Sequence, residues 1–411
     1  MKLGINGMGR IGKLTLWQHI AKQSFDEIVV NVGRDVGRGL EDLAQVIRKD
    51  STYGSLASYL YGFRGGEPIT AIDNDAGTML IHGVPVTFLR RARNPKDIPW
   101  GEHGVGLVVD CTGAFVDPTV PADDPRGALR GHLEAGAEKV LLSAPFKIKN
   151  KELSMPEDAI TCVMGINNEQ YDPSQHRLIS AASCTTTCLS YMMKPMLEHF
   201  GVQRILSASM VTIHAATSSQ MVLDAVPKAG ATDLRKNRAV MNNIILTTTG
   251  AAKALAEVIP QVAEIGFMAE SVRIPTNSGS LVILTLNLQS EAEGEPINRQ
   301  AVNAIYREAS QGLYRDHLVF SEAQNVSSDI IGFPKAATVI ESRETHTRTA
   351  YSHVDLSRLP GLSSEIKAQL QVTRLDVPVT QAVVYGWYDN EFGSYTNMLG
   401  NLTEHVGQQL F

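Results

Sequence analysis

The run Ala182-Ser183-Cys184-Thr185-Thr186-Thr187-Cys188 sets a thiol ahead of a row of hydroxyls, and the stretch Leu189 to Phe200 that follows has helical character. A cysteine placed there sits at a helix N-terminus. Unpaired N–H groups and the positive end of the helix dipole lower a thiol pKa and offer donors to an oxyanion. Cys184 is therefore the candidate nucleophile. A buried, inert state is the commoner fate of a cysteine, so the assignment needs partners. Val211-Thr212-Ile213-His214 supplies one, a histidine closing an apolar strand that can take the thiol proton. Thr217 and Ser219 place hydroxyls just past it. Leu246-Thr247-Thr248-Thr249-Gly250-Ala251-Ala252-Lys253 is a hydroxyl-rich turn opening a helix, a natural seat for phosphate. Ser271-Val272-Arg273 puts one arginine in a strand, and Asp233 to Arg238 forms a local basic cluster. Singly, these are a capped helix, a surface arginine and a solvated charge run.

A second constellation lies at the start of the chain. Gly7-x-Gly9-x-x-Gly12 follows a short apolar strand and opens a helix. Such glycines allow a tight turn, close backbone approach to a pyrophosphate, and helix–strand packing. The motif alone is weak; its strand–turn–helix setting predicts dinucleotide binding. An acid is expected at the end of the second strand, where Val30-Asn31-Val32-Gly33-Arg34-Asp35 carries valine at position 32. Valine cannot bind ribose hydroxyls, whereas Arg34 can pair with a 2′-phosphate. The cofactor is thus NAD or NADP, with NADP or dual use favoured. The alternative is that Asp35 or backbone groups serve NAD and Arg34 is solvated.

These residues need a scaffold. Leu3-Gly4-Ile5-Asn6, Ile28 to Asn31, Leu107 to Asp110 and Val140 to Ser143 read as buried strands, with helices at Ile11 to Ala21 and near Gly127 to Ala135. Short apolar strands alternating with helices predict an α/β fold, an N-terminal Rossmann-type doubly wound parallel sheet over residues 1–183. From about Ser180 the strands lengthen (Ile205 to His214, Ser280 to Leu288), with helices at Thr249 to Val258 and Ile297 to Ser310. This predicts an α+β catalytic domain with a mainly antiparallel sheet over 184–394. A C-terminal helix, Tyr395 to Gln409, would return to the cofactor domain. Ser55 to Met79 and Glu341 to Val379 lack clear periodicity, apart from a helical patch near Ser363 to Leu370, and read as surface-loop insertions.

Bulk properties narrow the class. The chain has 411 residues, 43% hydrophobic and 19% charged, with a net charge of −6. That is globular, and the lack of a basic run argues against a nucleic-acid partner. Four cysteines in such a length make no disulfide framework, and their spacing does not suit a metal. Free thiols, the absence of signal-peptide features at the N-terminus, and no apolar run of membrane-spanning length predict a cytoplasmic protein without a membrane partner.

Taken together, the motifs resemble the glyceraldehyde-3-phosphate dehydrogenase family. Ala182-Ser183-Cys184-Thr185-Thr186 matches its signature, with Thr187 where asparagine is usual. Asn6-Gly7-x-Gly9-Arg10-Ile11-Gly12, Ile98-Pro99-Trp100, Cys111-Thr112-Gly113-x-Phe115, His132-Leu133-x-Ala135-Gly136-Ala137, Ser143-Ala144-Pro145, Thr249 to Lys253 and Trp387-Tyr388-Asp389-Asn390-Glu391 match in the same order along the chain. The resemblance implies that Cys184 attacks the aldehyde and His214 activates the thiol and moves the proton. It implies that Thr217 and Arg273, with Ser219, hold the substrate phosphate. Ser183, Thr185, Thr249, Gly250 and Arg235 would hold the attacking inorganic phosphate, with Arg238 assisting. Gly7, Gly9, Arg10, Ile11, Gly12, Arg34, Arg93, Thr112, Ser143 and Asn390 would bind the cofactor, Asn390 through the carboxamide of the nicotinamide. It also implies a homotetramer acting on a small sugar phosphate. Erythrose 4-phosphate is the rival substrate. A non-catalytic dinucleotide-binding regulator is the rival class, opposed by the joint presence of Cys184, His214, Arg273 and the Thr249-Gly250 seat. Ser394-Tyr395 follows Gly393 where the family usually has Tyr-Ser, which predicts an altered contact near the nicotinamide.

Overall fold

The computed structural model describes residues 1–291, 294–333 and 336–410. The cofactor half is built on β1 (Lys2–Asn6), helix α1 (Arg10–Lys22), β2 (Glu27–Asn31), β3 (Ile69–Asp73), β4 (Thr78–Ile81), β5 (Val84–Leu89), β6 (Val105–Asp110), β7 (Lys139–Leu142), β8 (Ala159–Thr161) and β9 (Leu178–Ser180). Among the described residues they form a nine-stranded sheet in the order β8–β9–β7–β6–β1–β2–β5–β4–β3. The strands from β8 to β5 run parallel. Leu3 sits beside Ile28 on one side and Leu107 on the other, so the apolar runs stack in register with both faces covered.

The second half contains α2 (Cys184–Phe200), β10 (Ile205–Ala215), β11 (Ile245–Thr247), α3 (Ala251–Val258), β12 (Gly266–Ile274), β13 (Ser280–Gln289), α4 (Arg299–Gln311), β14 (Leu318–Ser321), β15 (Thr338–Glu341), β16 (His346–Asp355) and β17 (Arg374–Tyr388). The sheet order is β11–β12–β10–β13–β17–β15–β14, with β16 alongside β17. Most pairs are antiparallel; β10–β12 and β14–β15 are parallel. Alternate residues of β10, β13 and β17 point inward and bury under α2, α3 and α4. The opposite face, with Val211, Ile213, Leu281, Ile283, Val383 and Tyr385, is only half-buried. The last helix, α5 (Asn397–Gln408), returns to α1, where Gln18 donates to the Asn397 side chain at 3.0 Å.

Three expectations need correction. Residues 55–79 are not a loop insertion. Ser55 caps a helix over Leu56–Tyr61, and β3 and β4 extend the sheet antiparallel beyond β5. Their strands are short and polar on the exposed side, which hides the alternation. Residues 341–379 are not a loop either. β16 pairs with β17 over ten residue pairs, from His346–Val383 to Asp355–Arg374, and forms a ribbon-like arm. Most of its residues are exposed, so no hydrophobic period marks it. The helix near Gly127 to Ala135 is a single turn, Gly131–Glu134.

Candidate active site

β9 ends at Ser180 and the chain turns through Ala182 into α2, whose first residue is Cys184. Ser183 is the N-cap; its hydroxyl accepts the Thr186 N–H at 3.1 Å. The side chain therefore closes the helix, and Cys184 keeps the position facing the open helix end.

His214 lies near the end of β10. The parallel register pairs it with Arg273 of β12, so both side chains emerge on the same face. Cys184 Sγ is 3.5 Å from His214 Nε2. His214 Nδ1 lies 2.8 Å from the Ala215 carbonyl, and Arg273 Nη1 donates to that oxygen at 3.1 Å while also touching Nδ1. We assign the proton to Nδ1, facing the carbonyl. This leaves the Nε2 lone pair toward the sulfur. Burial and the adjacent Arg273 guanidinium lower His214 from its ordinary value to about 3. Burial pushes the Cys184 thiol up, opposed by Arg273, by Thr185 and by N–H groups at the helix start. The expectation of a lowered thiol is thus corrected: desolvation by burial outweighs the helix start. The 3.5 Å approach of Sγ to Nε2 is the distance at which a proton could pass between them.

The two residues open into a cleft of about 710 Å³ between the two sheets, a size suited to a small ligand with part of a cofactor. Arg10, Ile11, Ser143, Ser183, Thr185, Thr217, Thr249, Gly250, Arg273 and Asn390 line it with the catalytic pair, as the sequence predicts. Thr217 bonds to Ser219 at 3.0 Å, but Ser219 itself stands outside the wall, where Ser218 takes the lining position. The Thr185 hydroxyl bonds to that of Tyr388 at 2.9 Å, which Thr212 also meets at 2.8 Å. Arg235 does not reach the cleft, because it pairs with Asp233 two residues away at 2.8 Å. Arg238 likewise pairs with Asp224.

At the cofactor end, Gly7 has φ +98° and Thr112 packs over it. A Cβ on Gly12 would meet the Gly7 carbonyl at 1.9 Å, whereas one on Gly9 would meet nothing within 4 Å. The Gly9 backbone therefore faces open space, which is the fit a dinucleotide phosphate requires. Arg10 is clamped by Glu391 and Asp50. Asn390 is fixed by the Ser280 hydroxyl, which donates to its Oδ1 at 3.0 Å. That leaves the Asn390 amide group as the free end. Arg34 is exposed beyond β2, and Arg93 reaches the carbonyl of neighbouring Gly33 at 3.2 Å.

Sequence reasoning missed several wall residues: Lys147, Lys253, Glu257 and Tyr395. Lys253 is the third residue of α3 and closes the Thr249 to Lys253 motif, a position in the first turn that could have flagged it. Tyr395 carried a signal only as part of the Ser394-Tyr395 departure, which did not place it in the wall. It stands in a π-helical turn, Phe392–Thr396, not in the expected helix Tyr395 to Gln409, which starts at Asn397.

Two family models match. Residues 1–118 match the glyceraldehyde 3-phosphate dehydrogenase NAD binding domain, and residues 183–356 match its C-terminal domain. Glyceraldehyde-3-phosphate dehydrogenase 2 of Streptomyces avermitilis is 35% identical over 100% of this chain and 99% of its own. Glyceraldehyde-3-phosphate dehydrogenase 1 of Bacillus subtilis is 32% identical over 100% and 99%. The enzyme of Geobacillus stearothermophilus is 34% identical over 82% of this chain and 87% of its own. With a nucleotide cradle at one end of its cleft, a cysteine–histidine pair at the other, and these relatives along its full length, the chain belongs to the glyceraldehyde-3-phosphate dehydrogenase family of oxidoreductases.

Proposed function

We propose that the protein oxidises glyceraldehyde 3-phosphate to 1,3-bisphosphoglycerate, reversibly, through a covalent intermediate on Cys184. The observation that carries this reading is the 3.5 Å approach of Cys184 Sγ to His214 Nε2 at the foot of a hydroxyl- and arginine-lined cleft. As Sγ attacks the aldehyde carbon, Nε2 takes the thiol proton, and a thiohemiacetal forms. N–H groups at the start of α2 face the developing oxyanion. Nε2 passes the thiol proton to the oxyanion, giving the thiohemiacetal hydroxyl, and as a neutral base takes it back when the carbon is oxidised to the thioester. A bound nicotinamide cofactor supplies the hydride acceptor. Inorganic phosphate, seated by Ser183, Thr249 and Gly250, then displaces the thiol. Thr217 and Arg273 hold the phosphate of the substrate.

The cofactor is NADP, or both NADP and NAD. Val32 leaves no acid at the end of β2, and two exposed arginines, Arg34 and Arg93, flank Gly33. A homotetramer is supported by the half-buried apolar face of the second sheet and by Leu223, Val226 and Ile244, exposed on the segment before β11. No helix among the described residues is long and apolar enough to cross a membrane, and the cysteines are free, in keeping with a cytoplasmic enzyme.

Steady-state rates with glyceraldehyde 3-phosphate and erythrose 4-phosphate, with each cofactor, with and without phosphate, test the reading. It requires the first substrate to win and the rate to depend on phosphate. Cys184→Ser should abolish oxidation and spare cofactor binding; substantial residual turnover would remove the nucleophile.

A further inference from the structure

Ala182 has φ +55°, a left-handed conformation that an alanine adopts only when its surroundings hold it. It is fully buried and stands two residues before Cys184. Its N–H donates to the Ser180 hydroxyl at 3.1 Å, and its carbonyl accepts the Tyr395 hydroxyl at 3.2 Å. The second contact joins the nucleophile's turn to the far end of the sequence, 213 residues away.

Tyr395 arrives there through the π-helical turn Phe392–Thr396. The Thr396 N–H reaches back five residues to the Glu391 carbonyl at 2.7 Å. A π turn holds one residue more than an α turn, and each residue rotates a helix by about 100°. The turn therefore sets which side chain meets Ala182. With one residue fewer, the ring at 395 would face elsewhere. Ser394 is tied independently, its hydroxyl accepting the Asp389 N–H at 2.9 Å. Tyr395 is buried in the cleft wall near Asn390, and Ala182 is its hydrogen-bond partner among the described residues.

We propose that Tyr395 is a positioning residue: its hydroxyl fixes the Ala182 carbonyl, locks the left-handed step, and so aims Cys184 Sγ at His214. The proposal rests on Cys184 being the nucleophile. It assigns Tyr395 to the rate of the chemical step and not to affinity for either ligand.

Tyr395→Phe removes the hydroxyl and keeps the ring. The expected result is a kcat about tenfold lower, with KM for aldehyde and cofactor within about twofold, since one hydrogen bond is at stake. Modification of Cys184 by iodoacetamide should slow by a similar factor. Adding Ala182→Gly should restore most of the lost kcat relative to Ala182→Gly alone, because glycine adopts this φ without help. Unchanged kcat, an unchanged or faster modification rate, or no rescue by glycine would each overturn the proposal. If the wild-type protein oxidised no aldehyde at all, the proposed function would fall. The modification rate needs no substrate and would still decide the role of Tyr395.

Discussion

Arg10 Nε donates to both carboxylate oxygens of Glu391 at 3.2 Å, bridging 381 residues of sequence. The same guanidinium contacts Asp50, whose side chain is fully buried. Burial pushes the Asp50 carboxyl up, but hydrogen bonds from Arg10 and Lys13 win and hold it well below the usual range. The start of the phosphate-facing helix is thereby fastened to the segment carrying Asn390. Arg10→Lys loses the two-pronged geometry. Cofactor Kd should rise roughly five- to tenfold, as expected for a lost charge-assisted hydrogen bond. Fluorescence titration with reduced cofactor measures it, and wild-type affinity would show that the clamp is idle.

Gly9 and Gly12 should separate folding from binding. A Cβ at Gly12 collides with the Gly7 carbonyl at 1.9 Å, so Gly12→Ala should destabilise by about 2 kcal/mol or more. Gly9 has φ −74° and open space at its Cβ position, so Gly9→Ala should leave the melting temperature almost unmoved. Its cost should appear when the cofactor is added. Equal thermal stability of the two variants would contradict the packing argument.

Arg34 bears on cofactor choice. Arg34→Ala should raise Kd for NADP by about tenfold and leave NAD within about twofold, since only NADP offers a 2′-phosphate. Equal losses would mean that Arg34 does not read that phosphate.

His19 makes stability fall with acid. It is 1% exposed, and neither ring nitrogen has a hydrogen-bond partner among the described residues. Burial, with Lys22 nearby, lowers it from 6.5 to about 3. The nearest carboxylate, Glu404, is 3.9 Å from Nδ1, beyond hydrogen-bond reach. Below pH 6.5 the unfolded chain binds a proton that the folded chain refuses. The folded state therefore loses up to about 1.4 kcal/mol per pH unit until the pH nears 3. His19→Leu should remove this loss, so its melting temperature should gain on the wild type from pH 7 to pH 4. A constant difference across that range would show that His19 does not titrate on unfolding.

The approach of Cys184 to His214 could be anticipated because its signals are local. A thiol before a helix and a histidine closing a strand can be read within ten residues, and the β10–β12 ladder then brings Arg273 beside His214. The place of Thr249 in the cleft wall and the tight turn at Gly7 were legible for the same reason. Arg235 stands outside the cleft wall beside Asp233, a placement that no spacing rule reports. The thiol shift was misread because helix position is visible in sequence and burial is not. The Ser394-Tyr395 departure was legible, but the Tyr395 contact with Ala182 was not, because a π turn breaks the period used to phase helices.

The β16–β17 arm bears on where this chain can tolerate a change in length. β17 runs without interruption from the exposed arm into the sheet and ends at Tyr388, directly before Asp389 and Asn390. Distal to residue 379 the arm's ladder runs between its own two strands and its outward backbone groups face solvent, so rungs can be added or taken away at the distal end without burying an unpaired group. Growth there is modular. Shortening the hairpin at its tip would leave the catalytic strand in register, and a foreign peptide grafted at that tip would be displayed far along the chain from Cys184.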